Sequence, residues 1–387
     1  MDIKELDKTY VANTYKRFPV ALVKGKGSLA YDDQGKEYID LGSGIAVNGL
    51  GIADDEWMAA VTAQLGTLPH TSNLYYSEPC AQLAKLLCEK SGMKKVFFGN
   101  SGAEANEGVI KAARKYAAEK HGKDCYTIIT LENSFHGRTL TTLAATGQDK
   151  FHELFQPLTP GFVHAKANDL EGLKALAEKV KPAAIMIECV QGEGGVLPLE
   201  ANFVKGIEAL CKEKDIVMIV DEVQTGNGRS GCYFAYQTFG VMPDLVSTAK
   251  GLGGGLPIGA VLLGEKLKDV FGPGDHGSTF GGNPAVCAGA CSIVQRIDDA
   301  LMADVRKKSE YIFNELKFAD GVESVAGLGL MIGVKTKKPA ADIVAGCMEK
   351  GVLVLTAHEK VRLLPALNIP MPLLEKAIAV LKEVCKE

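Results

Sequence analysis

One lysine of the sequence has the setting of a chemically reactive amine. Lys250 ends the apolar run PDLVSTAK and is followed by the glycine-rich loop GLGGGLPIGA. Loss of water around a lysine lowers its pKa from about 10.4 and favours the neutral amine, which condenses with aldehydes. The alternative is a lysine whose stem packs on the strand end while its ammonium group reaches solvent. The sequence around Lys250 therefore permits covalent chemistry with a carbonyl compound without requiring it.

A carboxylate lies at the end of the most hydrophobic predicted strand. Asp221 follows the residues IVMIV, and burial of its charge is costly unless a cation is nearby. The protonated pyridine nitrogen of pyridoxal phosphate is one such cation, and at about 4 Å with an effective dielectric constant near 20 the pair is worth roughly 4 kcal/mol. A protonated ring is the electron sink that carbanion chemistry needs. The alternatives are an aspartate that caps a loop or binds Mg²⁺; because no G-x-x-x-x-G-K-[ST] motif occurs, a nucleotide site is disfavoured, and we predict no metal site.

Three further groups follow predicted strands and suit a cofactor or an anionic substrate. The residues 101–103 precede a predicted helix, where free N–H groups favour a phosphate, although a simple serine N-cap explains them equally well. Phe135 offers an aromatic face to a planar ring, and Arg138 offers a guanidinium fork to a carboxylate; packing and solvation are the alternatives. Ligands of parallel sheets bind outside the carboxyl ends of the strands. The convergence of these groups with Asp221 and Lys250 is therefore the strongest indication of a catalytic site.

The elements that must position these groups follow from the alternation of apolar runs with helical patterns. The predicted strands are Lys95–Phe98, Tyr126–Leu131, Ala184–Val190, Ile216–Val220, Leu245–Thr248 and Gly259–Gly264, and the predicted helices are Ala103–Lys120, Asp169–Val180 and Asn202–Lys214. Such repetition predicts an α/β fold with a mostly parallel central sheet that is covered on both faces.

Both ends of the chain predict a smaller α+β domain. Residues 25–41 predict a two-stranded hairpin. After Ala300 the pattern predicts a long helix, a strand at Leu328–Val334, a helix at Ala340–Lys350, strands near 352–364 and a final helix from Pro372. We therefore predict a large domain at 51–285 and a small domain built from 1–50 and 286–387.

Composition excludes several other classes of protein. The 387 residues are 47% hydrophobic with a net charge of −4, which argues against a disordered chain and against binding to nucleic acid. The ten cysteines show no C-x-x-C pair, and the start MDIKELDKTY has no apolar signal region. These features predict a cytoplasmic protein that does not associate with membranes.

The motifs together resemble a known family. The segments NSGAEANEGVIKAARKY, SFHGRTL, ECVQGEGGV, VDEVQTGNGRSG, STAKGLGGGLPIGA and HGSTFGGNP are similar to those of the class III pyridoxal-phosphate-dependent aminotransferases, which have fold type I. The resemblance covers nearly the whole chain. Two segments depart from the family pattern: GIADD at 51–55 replaces the usual G-H-x-H-P, and SGA at 101–103 replaces the commoner S-G-T.

The resemblance implies a role for each matching residue. Lys250 would hold the cofactor covalently and move the proton during catalysis, and Asp221 would pair with the pyridine nitrogen. Further cofactor contacts are implied for Ser101, Gly102, Ala103, Phe135, Val223, Gln224 and Thr279, with Thr279 reaching the phosphate across a dimer interface. Substrate contacts are implied for Arg138, Ser278, Tyr15, Glu193 and Arg362. Among these, Glu193 and Arg362 would form an ion pair that opens for 2-oxoglutarate.

Within the class, the compact length and the motifs QGEGG and HGSTFGGNP resemble members that act on N2-acetylornithine in arginine biosynthesis. The resemblance then implies transfer of the terminal amine to 2-oxoglutarate, giving N-acetylglutamate 5-semialdehyde and glutamate, in a homodimer with shared active sites. Other ω-amines, namely succinylornithine, ornithine and 4-aminobutyrate, remain alternatives because the enzymes that use them share these motifs. A catalytically silent homologue is disfavoured because Lys250, Asp221 and Gln224 are all present.

Overall fold

Helices and strands occupy most of the chain and alternate mainly in its middle part. The computed structural model describes residues 2–387, so Met1 of the predicted segment 1–50 lies outside the described residues. The helices are α1 (Ile3–Tyr10), α2 (Ser43–Ala46), α3 (Asp55–Thr67), α4 (Glu78–Ser91), α5 (Gly102–His121), α6 (Leu140–Ala145), α7 (Leu170–Val180), α8 (Ala201–Lys214), α9 (Tyr236–Phe239), α10 (Pro284–Arg296), α11 (Asp299–Leu316), α12 (Ala340–Glu349) and α13 (Met371–Lys386). The strands are β1 (Leu22–Lys26), β2 (Leu29–Asp32), β3 (Glu37–Asp40), β4 (Lys95–Gly99), β5 (Ile128–Leu131), β6 (Phe162–Ala165), β7 (Ala184–Ile187), β8 (Val190–Gln191), β9 (Leu197–Pro198), β10 (Val217–Asp221), β11 (Leu245–Thr248), β12 (Gly259–Leu263), β13 (Val322–Leu328), β14 (Met331–Thr336), β15 (Val352–Leu353), β16 (Leu355–Ala357) and β17 (Lys360–Leu363).

A seven-stranded sheet forms the centre of the fold, in the order β4-β12-β11-β10-β7-β5-β6. The strands β11, β10, β7, β5 and β6 pair in parallel, and β12 pairs antiparallel with both of its neighbours. The predicted α/β fold with a mostly parallel sheet is therefore confirmed. Five strands of this sheet are buried along their whole length, namely β5, β7, β10, β11 and β12, which explains why they read as uninterrupted apolar runs.

Successive residues of the central strands pack into two different cores. In β10, Met218 and Val220 belong to one hydrophobic cluster, whereas Val217 and Ile219 belong to another. Neighbouring side chains of a strand point to opposite faces, so helices cover the sheet on both sides. The cluster around Val217 includes Val109 of α5, and the cluster around Met218 includes residues of α8.

A smaller core unites the two ends of the chain. Its cluster joins Ile39 and Leu41 to residues of α11, α12, α13 and the strands β14 and β17. Two four-stranded sheets accompany it, in the orders β1-β2-β3-β15 and β13-β14-β17-β16. The predicted division at residues 285 and 286 remains a prediction; α10 spans it and contributes Cys287, Ala290 and Ile293 to the larger cluster.

Three sequence predictions of strands need correction. The strand predicted at Leu328–Val334 is wrong, because β13 and β14 form an antiparallel hairpin in which Leu328 pairs with Met331. Gly329 in the turn has φ = +57°, a left-handed conformation that glycine adopts without strain. The run Ala184–Val190 is interrupted after Ile187, and the hairpin predicted at 25–41 gains β1 as a third strand.

The segment that departs from the family pattern has a structural role. The carboxylate of Asp54 accepts a hydrogen bond from the backbone N–H of Trp57 and caps the start of α3. The same carboxylate binds both terminal nitrogens of Arg296, at 2.6 and 3.0 Å. The GIADD segment thus links the start of α3 to the end of α10. No helix among residues 2–387 is both long and apolar enough to cross a membrane.

Candidate active site

A cavity of about 610 Å³ opens at the carboxyl ends of the central strands. Segments that follow β4, β5, β7, β10 and β11 line it, as does the loop before the antiparallel β12. Ten of the predicted site residues line this one cavity: Tyr15, Ser101, Gly102, Ala103, Phe135, Arg138, Asp221, Val223, Gln224 and Lys250. The predicted convergence at one edge of the sheet is therefore present.

Asp221 is held rigidly at the base of the cavity. Its side chain is only 3% exposed. One carboxylate oxygen accepts hydrogen bonds from Nδ2 of Asn106 and Nδ1 of His136, both at 2.8 Å, and the other accepts from the backbone N–H of Val223 at 3.0 Å. Burial disfavours the protonated imidazole, but the hydrogen bond and the charge of Asp221 outweigh burial and raise the pKa of His136. The arrangement fixes a negative charge beneath a cavity, which suits a cationic ring nitrogen.

Lys250 lies beyond the last residue of β11 with a strained backbone. Its φ is +43°, which is uncommon for a residue with a side chain and often marks a functional site. Burial lowers the pKa of Lys250, although the charges of Glu193, Asp221 and Glu188 oppose the shift. Its ammonium group makes no hydrogen bond or ion pair within residues 2–387. A lysine whose pKa is lowered and whose amine has no hydrogen-bond or ion-pair partner is suited to nucleophilic and general-base chemistry.

The start of α5 presents backbone N–H groups that suit an anion. Ser101 is the N-cap, and its hydroxyl oxygen accepts from the N–H of Glu104 at 3.1 Å. Gly102 and Ala103 occupy the first two helical positions, whose N–H groups have no acceptor within a helix. A Cβ on Gly102 would lie 2.7 Å from Cγ1 of Val223, so only glycine allows this close approach. The N-cap role of Ser101 and the proposed phosphate site are therefore compatible, because the cap uses the N–H of Glu104 and leaves the N–H groups of Gly102 and Ala103 for a phosphate.

An arginine without a charged partner faces the cavity. Arg138 is exposed and makes no ion pair within the described chain. Its guanidinium carbon lies 5.4 Å from the centre of the Phe135 ring and 4.2 Å from that of Phe151. Stacking on aromatic rings leaves the N–H edge of a guanidinium free to bind a carboxylate.

A second arginine is neutralised by a glutamate beside the cavity. Arg362 of β17 comes from the small core and is almost fully buried. Its Nη1 lies 2.5 Å from Oε1 of Glu193 and 3.1 Å from Oε1 of Gln224, and Nε2 of Gln224 donates to Glu193 at 3.2 Å. Burial raises the pKa of Glu193, but Arg362 outweighs burial and lowers it. The predicted ion pair is thus formed, and Gln224 connects it to the cavity.

Three predicted residues lie at or beyond the rim. Tyr15 lines the cavity but is largely exposed. Ser278 and Thr279 do not line it; the hydroxyl of Ser278 accepts from Nδ2 of Asn100 at 3.1 Å and from the N–H of Gly281 at 2.9 Å, and Thr279 is exposed. Their substrate and phosphate roles stay predictions.

Sequence reasoning missed three buried polar residues of the cavity. Asn106 and His136 bind Asp221, and Glu188 follows β7. The signal for Glu188 was available, because a glutamate interrupts the apolar run AAIMIECV. Nδ2 of Asn106 also donates to the backbone oxygen of His136 at 2.7 Å, so these two residues stabilise each other as well as Asp221.

The residues present fit pyridoxal phosphate. The cavity combines a buried carboxylate, an uncommitted lysine and a helix start where glycine alone permits close approach. Two buried side-chain atoms at the base of the cavity, Nε2 of His136 and Oδ1 of Asn106, have no hydrogen-bond partner within residues 2–387. Such unpaired polar atoms are rare in folded proteins, and they mark the base of the cavity as a place for a polar ligand.

Comparison with known proteins gives consistent matches. The family model for class-III aminotransferases matches residues 10–385. The acetylornithine aminotransferase of Haemophilus ducreyi is 50% identical over 387 residues, covering 100% of this chain and 98% of the relative. That of Methanocaldococcus jannaschii is 46% identical over 390 residues, covering 99% and 98%.

Solved structures of aminotransferases superpose on this chain over almost its whole length. The ornithine aminotransferase of Toxoplasma gondii superposes with a TM-score of 0.95 at 30% identity, covering 99% of this chain and 94% of that chain. The N-acetylornithine aminotransferase of Stenotrophomonas maltophilia superposes with a TM-score of 0.85 at 34% identity, covering 98% and 97%. Another structure of the T. gondii protein is described as having partial occupancy of PLP at its active site.

Proposed function

The chain belongs to the class-III aminotransferases, and from this premise we propose that it transfers the terminal amino group of N2-acetylornithine to 2-oxoglutarate. The products are N-acetylglutamate 5-semialdehyde and glutamate, and the reaction serves arginine biosynthesis. The observation that carries the proposal is a pair of unlike arginines. Arg138 lines the cavity without an ion pair, whereas Arg362 is paired to Glu193 and reaches the cavity wall through Gln224.

Pyridoxal phosphate is the cofactor of this family, and when bound it supplies an electron sink for a carbanion next to nitrogen. Asp221 would hold a proton on its pyridine nitrogen, since the carboxylate is already fixed by Asn106 and His136. The N–H groups of Gly102 and Ala103 would bind the phosphate. Phe135 and Val223 would enclose the ring, and Gln224 would bind its hydroxyl oxygen.

Lys250 would act on the proton of the substrate carbon next to the transferred nitrogen. Its pKa is lowered by burial, so a larger fraction of the amine is neutral at a given pH and able to accept a proton. The absence of a competing hydrogen bond or ion pair within residues 2–387 leaves its amine free to move. General acid–base catalysis of this kind contributes about 10²–10⁴-fold to a rate.

The two arginines explain how one cavity accepts two unlike substrates. N2-acetylornithine carries one carboxylate far from the reacting amine, whereas 2-oxoglutarate carries a second carboxylate next to its keto group. Arg138 would bind the distant carboxylate of both. Glu193 would neutralise Arg362 while N2-acetylornithine is bound, and would release it to the second carboxylate of 2-oxoglutarate.

A homodimer with shared sites is part of the proposal. Thr279 is exposed and does not line the cavity of its own subunit, which supports a role at the site of a second copy. The adjacent Phe280 is also exposed, as are Leu74, Tyr75 and Tyr76, which follow a residue, Asn73, whose Nδ2 donates to the backbone oxygen of Ser278. Sedimentation analysis should give twice the mass of the chain, and a monomer that is fully active would contradict shared sites.

The cytoplasmic location also stays a prediction, which cell fractionation can test.

A panel of ω-amines with 2-oxoglutarate tests the substrate. We expect kcat/KM for N2-acetylornithine to exceed that for ornithine, succinylornithine and 4-aminobutyrate, with glutamate formed in equal amount to the semialdehyde. A higher kcat/KM for ornithine would replace the proposed substrate, and the superposition on the T. gondii ornithine aminotransferase makes ornithine the most informative competitor.

A further inference from the structure

A single buried carboxylate connects two loops of the active site. Glu188 is 6% exposed and follows β7. Its Oε2 accepts from the backbone N–H of Phe135 at 3.0 Å, and its Oε1 accepts from the backbone N–H of Gly192 at 3.4 Å. Each oxygen of one side chain therefore binds the backbone of a different loop.

The two loops carry the groups that contact both substrates in the proposed function. The first, residues 132–139, carries Phe135 and Arg138 and is called here the aromatic loop. The second, residues 191–196, carries Glu193 and is called the gate loop. Gly192 also packs closely on Gln224, because a Cβ at this position would lie 2.5 Å from Oε1 of that side chain. A shift of the gate loop would therefore disturb Gln224 and, through it, Arg362.

A carboxylate suits both contacts, because each of its two oxygens accepts a hydrogen bond. A carboxamide has one accepting oxygen and one donating NH2 group, so it can accept only one of the two. Burial raises the pKa of Glu188 to about 7, with the nearby charge of Asp221 adding to the shift, while His136 and the two N–H groups oppose it. The N–H groups of Phe135 and Gly192 are thus among the contacts that stabilise its charge.

We propose that Glu188 is a positioning residue that holds the aromatic loop and the gate loop in a fixed relation, so that Arg138 and the Glu193–Arg362 pair face the same substrate. Glu188 acts through these two loops and not on the reacting atoms. The inference rests on the proposed function for the roles of the loops, but the contact itself does not depend on the identity of the substrate.

Hydrogen–deuterium exchange of the purified enzyme with its cofactor tests the contact directly. Glu188→Gln should accelerate exchange at the backbone amide of Phe135 or Gly192 by about tenfold or more, since a hydrogen bond to a charged group is lost. Glu222→Gln is a matched control, because Glu222 is also buried but binds Thr225 and the backbone N–H of Tyr236 instead. That variant should accelerate exchange near Tyr236 and leave both loops unchanged. Equal exchange in Glu188→Gln and the unsubstituted protein at both amides would overturn the proposal.

Steady-state kinetics test the positioning role. Glu188→Gln should raise KM about fivefold or more for both N2-acetylornithine and 2-oxoglutarate while kcat stays within about threefold, and Glu222→Gln should change neither KM by more than twofold. Altered exchange with unchanged KM values would overturn positioning. If the unsubstituted protein does not use N2-acetylornithine, the proposed function fails, and the exchange result still decides the contact.

Glu188→Asp provides a second variant in case the Glu188→Gln protein fails to fold. Aspartate keeps the charge but is one methylene shorter, so it cannot reach both N–H groups. We expect faster exchange in at least one loop. Wild-type exchange in both loops of this variant would contradict the proposed connection.

Discussion

Replacement of Arg362 by alanine should separate the two half-reactions. The Nη1 atom of Arg362 lies 2.5 Å from Glu193 and 3.1 Å from Gln224. In the first half-reaction this arginine is neutralised, so its loss should change the rate with N2-acetylornithine by less than about threefold. In the second half-reaction the 2-oxoglutarate carboxylate must displace Glu193 and bind Arg362.

The magnitude follows from the exchange of partners. Loss of one partner of a buried charged pair costs about 2–5 kcal/mol. Because 2-oxoglutarate gains Arg362 only by breaking the pair with Glu193, we expect the lower half of that range, about 2–3 kcal/mol. This corresponds to a fall of roughly 30–150-fold in kcat/KM for 2-oxoglutarate.

Rapid-mixing absorbance measurements of each half-reaction provide the assay. Lys335→Ala is the matched control, because Lys335 lies on the neighbouring strand β14 and forms its ion pair with Glu323 instead of Glu193; it should leave both half-reactions nearly unchanged. Arg138→Ala should impair both half-reactions. If Arg362→Ala slowed the reaction with N2-acetylornithine as much as that with 2-oxoglutarate, the gating role of Glu193 and Arg362 would be refuted.

Three further substitutions test the supporting network and the stability of the fold. Asp221→Asn removes a charge worth roughly 4 kcal/mol, so kcat should fall about 10²–10³-fold while the circular dichroism spectrum is unchanged; unaltered kinetics would make Asp221 structural. Burial lowers the pKa of His164 to about 4, and the charges of His152 and His136 add to the shift. As pH falls from about 6.5 to 4, the unfolded chain binds the proton before the folded protein does, so the free energy of unfolding declines by about 3 kcal/mol. The Tm of His164→Gln relative to that of the unsubstituted protein should therefore rise on acidification, and a constant difference would contradict this. Arg229 is buried and donates to the backbone oxygens of Leu330 and Pro365. Arg229→Ala should therefore lower the free energy of unfolding by about 3 kcal/mol. A Tm of the variant within about 1–2 °C of that of the unsubstituted protein, roughly the resolution of a thermal scan, would show that these contacts contribute little.

The central sheet was predictable because its physical signal is local. The run Leu245–Thr248 is buried along its whole length and coincides with β11, since a strand covered on both faces needs an apolar residue at every position. The convergence of Asp221 and Lys250 followed from topology alone, because parallel strands end at the same edge. The location of Asp221 and Lys250 at one cavity could thus be predicted without side-chain detail.

Other features depend on geometry that the pattern does not contain. The predicted strand Leu328–Val334 ran through the turn at Gly329 because the turn has only two residues and the residues on each side of it, Leu328 and Met331, are apolar. The contacts of Asn106 with Asp221 and of Glu188 with two loops depend on side-chain direction across distant segments. The pairing of Glu193 with Arg362 joins residues 169 positions apart, and only the resemblance to a family suggested it.

The role of Lys250 is the central claim, and a single-turnover measurement tests it most directly. Purified protein with its cofactor is mixed with N2-acetylornithine in the absence of 2-oxoglutarate, and the visible absorbance of the cofactor is followed. The unsubstituted protein should lose this absorbance as the amino group is transferred, and Lys250→Ala should bind N2-acetylornithine without transferring it. Transfer by Lys250→Ala at the rate of the unsubstituted protein would contradict the account.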